Sequence, residues 1–99
     1  MAHRRYDVVS CTVTRWARYG LVIESDGGDR GFVDSSYITD DVGEPWPEPG
    51  ARLRCVVLAT TNDGRISVAA TPGYVAAIAG AADPDEAATR WCKENRAGR

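Results

Sequence analysis

The sequence is poor in the residues that hold metal ions or build covalent frameworks. Among its 99 residues are three cysteines and a single histidine. Cys11, Cys55 and Cys92 are far apart and form no CxxC pair, which argues against a zinc site and against a disulfide framework. His3 lies close to the N-terminus, away from any other candidate ligand. We therefore expect no metal and no cofactor, with Cys11 and Cys55 packed as small hydrophobic residues.

Long apolar runs and a basic excess are also missing. No stretch approaches a membrane span, and the N-terminal MAHRRYD lacks the apolar core of a signal peptide, so the expected location is the cytoplasm. Acidic residues outnumber lysine and arginine by 14 to 12, whereas proteins that hold nucleic acid mainly through its phosphates usually carry a basic excess. The sequence also shows no nucleophile–base pair and no phosphate-cradling loop, so we expect it not to be an enzyme.

What is present is a series of short strands in one domain, expected to be a monomer. Residues 7–16 alternate between apolar and polar positions, and strands over 20–25 and 30–34 follow, joined by the turn DGGD. After a segment with three prolines at 39–50, strands are predicted over 51–60 and 65–69, joined by the turn NDG. The alternation places ten side chains in the interior: Val9, Val13, Leu21, Ile23, Val33, Leu53, Cys55, Val57, Ile66 and Val68.

Five short strands with local hairpins predict a small β-barrel over residues 7–70, followed by a different kind of segment over 71–99. Asp83 is a good N-cap, Pro84 fits the first helical turn, and Glu86 completes a capping box, which together predict a helix over 84–96. We expect Trp91 to dock this helix onto the barrel. Residues 74–82 fit either a short helix or an ordered connector.

Three motifs in this order resemble a known family. They are YG at 19–20, the GxxGxV formed by Gly28, Gly31 and Val33, and GRIS at 64–67. The sequence over 7–69 resembles the S1 RNA-binding domain family, named for ribosomal protein S1, whose members have an oligonucleotide-binding (OB) fold. The resemblance implies an all-β, five-stranded Greek-key barrel of the OB type, to which this chain adds a C-terminal helix.

The resemblance also implies a surface for single-stranded RNA on strands two, three and five. Of the five contact residues usual in the family, it places two here, Tyr19 and Arg65. Val22 replaces an aromatic residue, Asp34 a histidine and Thr61 an aspartate. A base stacked on an aromatic ring is worth roughly 1–3 kcal/mol, so losing one platform lowers affinity by about ten- to a hundredfold. The acidic segment 31–51 has five acids and no lysine or arginine, which adds repulsion.

Other side chains offer compensation on that surface. Arg15 and neighbouring arginines could line one side of it, because arginine both stacks on bases and pairs with phosphates. Strand parity puts Phe32 on the same face as Asp34, where it would replace the missing aromatic; the alternative is that Phe32 fills the core. The first functional hypothesis is therefore a weak, salt-sensitive single-stranded RNA (nucleic-acid) binding module that uses five residues: Arg18, Tyr19, Arg30, Phe32 and Arg65.

The second hypothesis keeps the barrel without the RNA. The chain would then be a protein-interaction or regulatory module that uses the acidic 34–48 loop and the C-terminal helix. Trp46, between two prolines of that loop, either anchors the loop or stands exposed for a protein partner. Trp16 likewise either covers a barrel end or is exposed for contacts.

Overall fold

The computed structural model describes residues 4–39 and 43–95. Five strands close into a barrel in the order β1-β2-β3-β5-β4, with β3 and β5 parallel and every other pair antiparallel. The strands are β1 (Val8–Ala17), β2 (Gly20–Ser25), β3 (Arg30–Asp34), β4 (Arg52–Thr60) and β5 (Ile66–Ala69), and two helices follow, α1 (Pro72–Ala79) and α2 (Pro84–Asn95). The predicted fold class, an OB-type barrel with a C-terminal helix, is confirmed.

The barrel interior is filled by the alternating apolar side chains of all five strands. Eight of the ten residues predicted to lie inside are fully buried, and Val9 and Leu53 are half-buried at its edge. Two residues outside the strands complete the cluster: Ile38, which follows the 3-10 turn Ser35–Tyr37, and Ala70, which follows β5. Cys11 and Cys55 are free thiols in this core. Their mutual hydrogen bond, together with burial, raises the pKa of the Cys55 thiol, so that thiol stays protonated as a small core residue.

A second apolar cluster lies outside the barrel, between β4 and the two helices. Val56 of β4 is fully buried there, together with Tyr74 and Ile78 of α1. The Tyr74 ring contacts the Trp91 ring of α2 edge to face, with centroids 5.2 Å apart. Of the segment 74–82, residues 74–79 belong to helix α1 and the rest connect it to α2. Trp91 reaches the barrel through its contact with α1.

The second helix starts where its capping signals predict. The Asp83 side chain accepts a hydrogen bond from the Glu86 backbone N–H at 3.2 Å, which satisfies one of the free donors of the first turn. The helix is described as far as Asn95, and the predicted end at residue 96 lies outside the described residues. No helix in the described part of the chain is long and apolar enough to cross a membrane.

Candidate nucleic-acid interface

The outer face of β1, β2 and β3 is the part of the barrel wall on which the predicted residues gather. Val22 of β2 lies opposite Phe32 of β3, and Phe32 in turn lies beside Ser67 of the parallel strand β5. Both neighbours of Phe32 in sequence, Gly31 and Val33, are buried, whereas Phe32 itself is half-buried. Phe32 is therefore on the outer face, and the alternative that it fills the core is wrong.

A bulge in β1 brings Arg15 to the same face. Cys11 and Val13 point into the core, and uninterrupted alternation would send Arg15 inward as well. The pairing of β1 with β2 shifts at Thr14, so that Arg15 lies opposite Val22 and is exposed. The Thr14 hydroxyl donates to the Val22 carbonyl oxygen at 3.0 Å and holds the bulge in place.

Three of the five predicted residues share one groove. Arg30, Phe32 and Arg65 line a depression of about 170 Å³, together with Arg15 and Val22. Its lining therefore combines the apolar side chains Val22 and Phe32 with three arginines. An arrangement of this kind can place a base against an aromatic ring while arginines reach phosphate oxygens or base edges.

Arg18 and Tyr19 lie outside this groove, at the turn that joins β1 to β2. The Tyr19 ring is 65% exposed, and the Arg18 guanidinium carbon lies 5.6 Å from its centroid, within cation–π range. The next residue, Gly20, leaves room for the Phe32 ring. A Cβ at position 20 would lie 3.0 Å from the tip of that ring and 1.8 Å from the Val33 carbonyl oxygen. Glycine is therefore required between the exposed tyrosine and the groove.

Arg65 is the least available of the predicted arginines. Its side-chain Nε lies 3.3 Å from a carboxylate oxygen of Asp63, and both side chains are exposed. The backbone N–H of Arg65 donates to the Thr61 hydroxyl at 3.1 Å, and that hydroxyl is also hydrogen-bonded to Asp63. These contacts, and those with Arg65, hold the pKa of the Asp63 carboxyl below its usual value, with the Thr61 hydrogen bond as the main cause. Thr61 thus organises the hairpin tip.

Asp34, at the end of β3, has a structural task of its own. Its carboxylate accepts hydrogen bonds from the Ser36 backbone N–H at 3.0 Å and from the Ser36 hydroxyl at 2.7 Å. It thereby caps a single 3-10 turn over Ser35–Tyr37. The residue that departs most in charge from the family pattern therefore orders the chain that leaves the barrel.

The two tryptophans of uncertain role contact each other at one end of the barrel. The Trp16 indole N–H donates to the Pro47 carbonyl oxygen at 2.7 Å, and the Trp16 and Trp46 rings meet edge to face with centroids 6.0 Å apart. Trp46 packs against the core cluster, so it anchors its loop. Trp16 remains 48% exposed while holding that loop. Asp40 and Asp41 of the same loop, like His3, lie outside the described residues.

Two residues of this face were not singled out from the sequence. Thr14 and Glu24 line a second groove of about 340 Å³ that shares Arg15, Val22 and Arg30 with the first. The sequence signal for the bulge was Arg15, which continues the alternation of the core residues Cys11 and Val13, because a charged side chain rarely enters a small core unpaired.

Within residues 4–39 and 43–95, no group of three or more histidine, cysteine or acidic residues is placed to hold a metal ion.

Comparison with known proteins identifies solved structures of the same fold. No family model matches the chain, and neither does any curated protein sequence. The intact α subunit of aIF2 from Pyrococcus abyssi matches with a TM-score of 0.63 and 19% identity, over 72% of this chain and 30% of that one. GSP13 from Bacillus subtilis matches with a TM-score of 0.63 and 22% identity, over 83% of this chain and 62% of that one.

A third match is a chain of the a/eIF2α–aDim2p–rRNA complex from Pyrococcus horikoshii. Its TM-score is 0.59 at 17% identity, over 94% of this chain and 55% of that one. The chain thus spans less than two thirds of each of these three proteins. At such identities the likeness shows the OB-type barrel and leaves the function to be argued from the residues.

Proposed function

We propose that this protein is an S1-like OB-fold module that binds single-stranded RNA through the outer face of β2, β3 and β5, extended onto β1. The observation that carries the proposal is the combination found on this face. Exposed Tyr19 and half-buried Phe32 offer ring surfaces, and Arg15, Arg18 and Arg30 surround them. Successive bases stack on aromatic rings without regard to sequence, and arginines neutralise the backbone.

The net negative charge is a sum over the whole chain, whereas binding depends on which charged side chains on this face are unpaired. Asp26 pairs with Arg52 at 2.8 Å, Asp63 pairs with Arg65, and Glu86 pairs with Arg90 on α2. Within the described residues, Arg15, Arg18 and Arg30 form no salt bridge. The local charge balance of this face is therefore set by these three arginines and Glu24 and not by the sum over the sequence.

Both helices leave this face free, which also supports the proposal. α1 packs on β4, where Val56 and Leu58 belong to the shared apolar cluster, and α2 packs on α1. The two grooves are lined by residues of β1, β2 and β3 and by Arg65. The alternative of a protein-interaction module that uses the acidic 34–48 loop and the C-terminal helix has less support, because Trp46, its candidate contact residue, packs against Trp16 and the core. A cytoplasmic location and a monomeric state remain predictions.

An amide NMR titration at low salt tests the proposal. The labelled protein is titrated with a short mixed-sequence single-stranded RNA, and we expect shifts at the five predicted residues and at Arg15 that fade as salt is added. The matched duplex serves as control and should shift the same amides less. A spectrum that stays unchanged, or shifts confined to α1 and α2, would contradict the proposed site.

A further inference from the structure

The larger groove has a composition suited to one kind of base. It measures about 340 Å³ and is lined by Thr14, Arg15, Val22, Glu24 and Arg30, with Ile23 beneath. Because it shares Arg15, Val22 and Arg30 with the groove that holds Phe32, the two form one trough across the outer face. A strand whose base stacks on Phe32 would place an adjacent base in the larger groove.

Three charged groups in this groove have no partner among the residues that the structure describes. Within the described residues, Arg15, Arg30 and Glu24 make neither a salt bridge nor a side-chain hydrogen bond. Glu24 lies directly opposite Arg30 on the neighbouring strand, and Arg15 lies across Val22 on the other side. Arg52, Arg65 and Arg90, by contrast, each contact a carboxylate. Two hydrogen-bond donors, Arg15 and Arg30, and one acceptor, Glu24, are therefore available to a ligand within one groove.

A carboxylate is an unexpected group in a surface that attracts phosphate, because it repels the backbone. It accepts hydrogen bonds only, so a favourable role needs a ligand that donates. Guanine presents two adjacent donors, N1–H and the N2 amino group, and on its other edge two acceptors, O6 and N7, which arginine binds with two hydrogen bonds. Adenine and cytosine each offer a single amino group as donor, and uracil offers a single ring N–H.

We infer that this groove selects guanine in single-stranded RNA, with Glu24 accepting from N1–H and N2–H and Arg15 or Arg30 donating to O6 and N7. The inference rests on the proposed function and adds the base that the module prefers. Val22 supplies the apolar floor, and the Thr14 bulge fixes Arg15 beside it. One bidentate pair discriminates by roughly 1–3 kcal/mol, so guanine should bind about tenfold more tightly than uracil at this position.

The test uses a nine-nucleotide uridine RNA with a fluorescent label and one variable central nucleotide. Uracil, adenine, cytosine, guanine and inosine are compared by fluorescence anisotropy at low salt. We expect the guanine oligomer to bind about tenfold more tightly than the uracil oligomer. Inosine, which lacks the N2 amino group, should lose most of that advantage. Glu24→Gln should reduce the guanine preference to threefold or less while leaving affinity for the all-uridine RNA equal or higher.

Glu94→Gln is the matched control, because it makes the same charge change on α2, and it should keep the full preference. Equal binding of all five oligomers overturns the inference and leaves the proposed function standing. A guanine preference that persists in Glu24→Gln also overturns the assignment of this groove. Failure of every oligomer to bind at low salt overturns the proposed function and the inference together.

Discussion

Two outer faces of the same barrel differ in whether the helices cover them. On β4, Val56 and Leu58 point away from the core and are covered by Tyr74, Ile78 and Trp91 of the helices. On β1, β2 and β3, the outward positions hold Arg15, Glu24, Arg30 and Phe32, and neither helix covers them. The barrel therefore has one face that completes the fold and one face that the two helices leave uncovered.

The difference lies in side-chain chemistry rather than in backbone geometry. Both faces contain a bulge, at Thr14 in β1 and at Leu58 in β4. Apolar side chains that point outwards are unfavourable in water until another element covers them, whereas arginine and glutamate side chains are well solvated. The covered face should therefore control stability and the open face should control binding, and four substitutions can break or sharpen that division.

The largest effect is expected from Tyr74→Ala on the covered face. The Tyr74 ring is 3% exposed and contacts Tyr37 and Trp91 edge to face. Removing a buried aromatic ring of this size costs about 3–5 kcal/mol of unfolding free energy. Urea denaturation followed by circular dichroism measures it. The matched control is Tyr19→Ala on the open face, which should stay within about 0.5 kcal/mol of the parent. Equal losses in the two variants would show that the faces are not divided in this way.

Much of this division could be predicted from the sequence, because the two-residue period of β-strands sorts side chains into inside and outside. Alternation located the barrel interior, including Val13, Leu21 and Ile23, and the capping signals at Asp83 located the second helix. The period does not say what covers an outward stripe. Val56 lies in an apolar run, CVVLA, in which inward and outward positions are equally hydrophobic, so its partners on α1 appear only in three dimensions.

The open face was predicted in part for a similar reason. Strand parity puts Phe32 on the same face as Asp34, with a place in the core as the alternative, and the burial of its neighbours Gly31 and Val33 decides for the outer face. The groove that contains Glu24 depends on the register shift at Thr14. No glycine or proline marks that bulge, and a one-residue shift reverses the facing of every later side chain in the strand. The resemblance to the S1 family drew attention to positions where a usual contact residue is replaced, such as Asp34. It gave no reason to single out Thr14 or Glu24.

The second prediction concerns RNA affinity, which should depend on Tyr19 of the open face. Tyr19→Ala should weaken binding of a short single-stranded RNA by about tenfold or more, since it removes one stacking surface. Fluorescence anisotropy at low salt measures the change. Tyr19→Phe keeps the ring and should bind nearly as well as the parent. If Tyr19→Phe binds as poorly as Tyr19→Ala, the ring is not the contact, and the role of Tyr19 in stacking would have to be abandoned.

The third prediction, of a smaller effect on RNA affinity, compares an arginine of the open face with an arginine of β4. Arg18→Gln removes a guanidinium beside the exposed tyrosine and should weaken RNA binding by roughly fivefold, or about 1 kcal/mol. It should also lower the slope of log affinity against log salt by about 0.7, the value for one contact to a single strand. Arg54→Gln makes the same change at an exposed position of β4 and should alter neither quantity. Identical salt slopes for the two variants would mean that net charge, rather than this face, governs binding.

The smallest effect at neutral pH is expected from Tyr74→Phe, which keeps the ring and removes its hydroxyl. Burial, followed by the neighbouring Tyr6, Tyr37 and Cys92, raises the pKa of Tyr74 to about 12, with Arg5 acting in the opposite direction. The neutral hydroxyl is favoured in the folded state, so its contribution is present below pH 10 and is lost as pH rises towards 12. The parent should therefore lose about 1 kcal/mol more than Tyr74→Phe between pH 9 and pH 11. Urea midpoints across that range measure the difference. Tyr19→Phe, altered on the open face, should decline in parallel with the parent; if it resembles Tyr74→Phe instead, alkaline instability does not originate in the covered face.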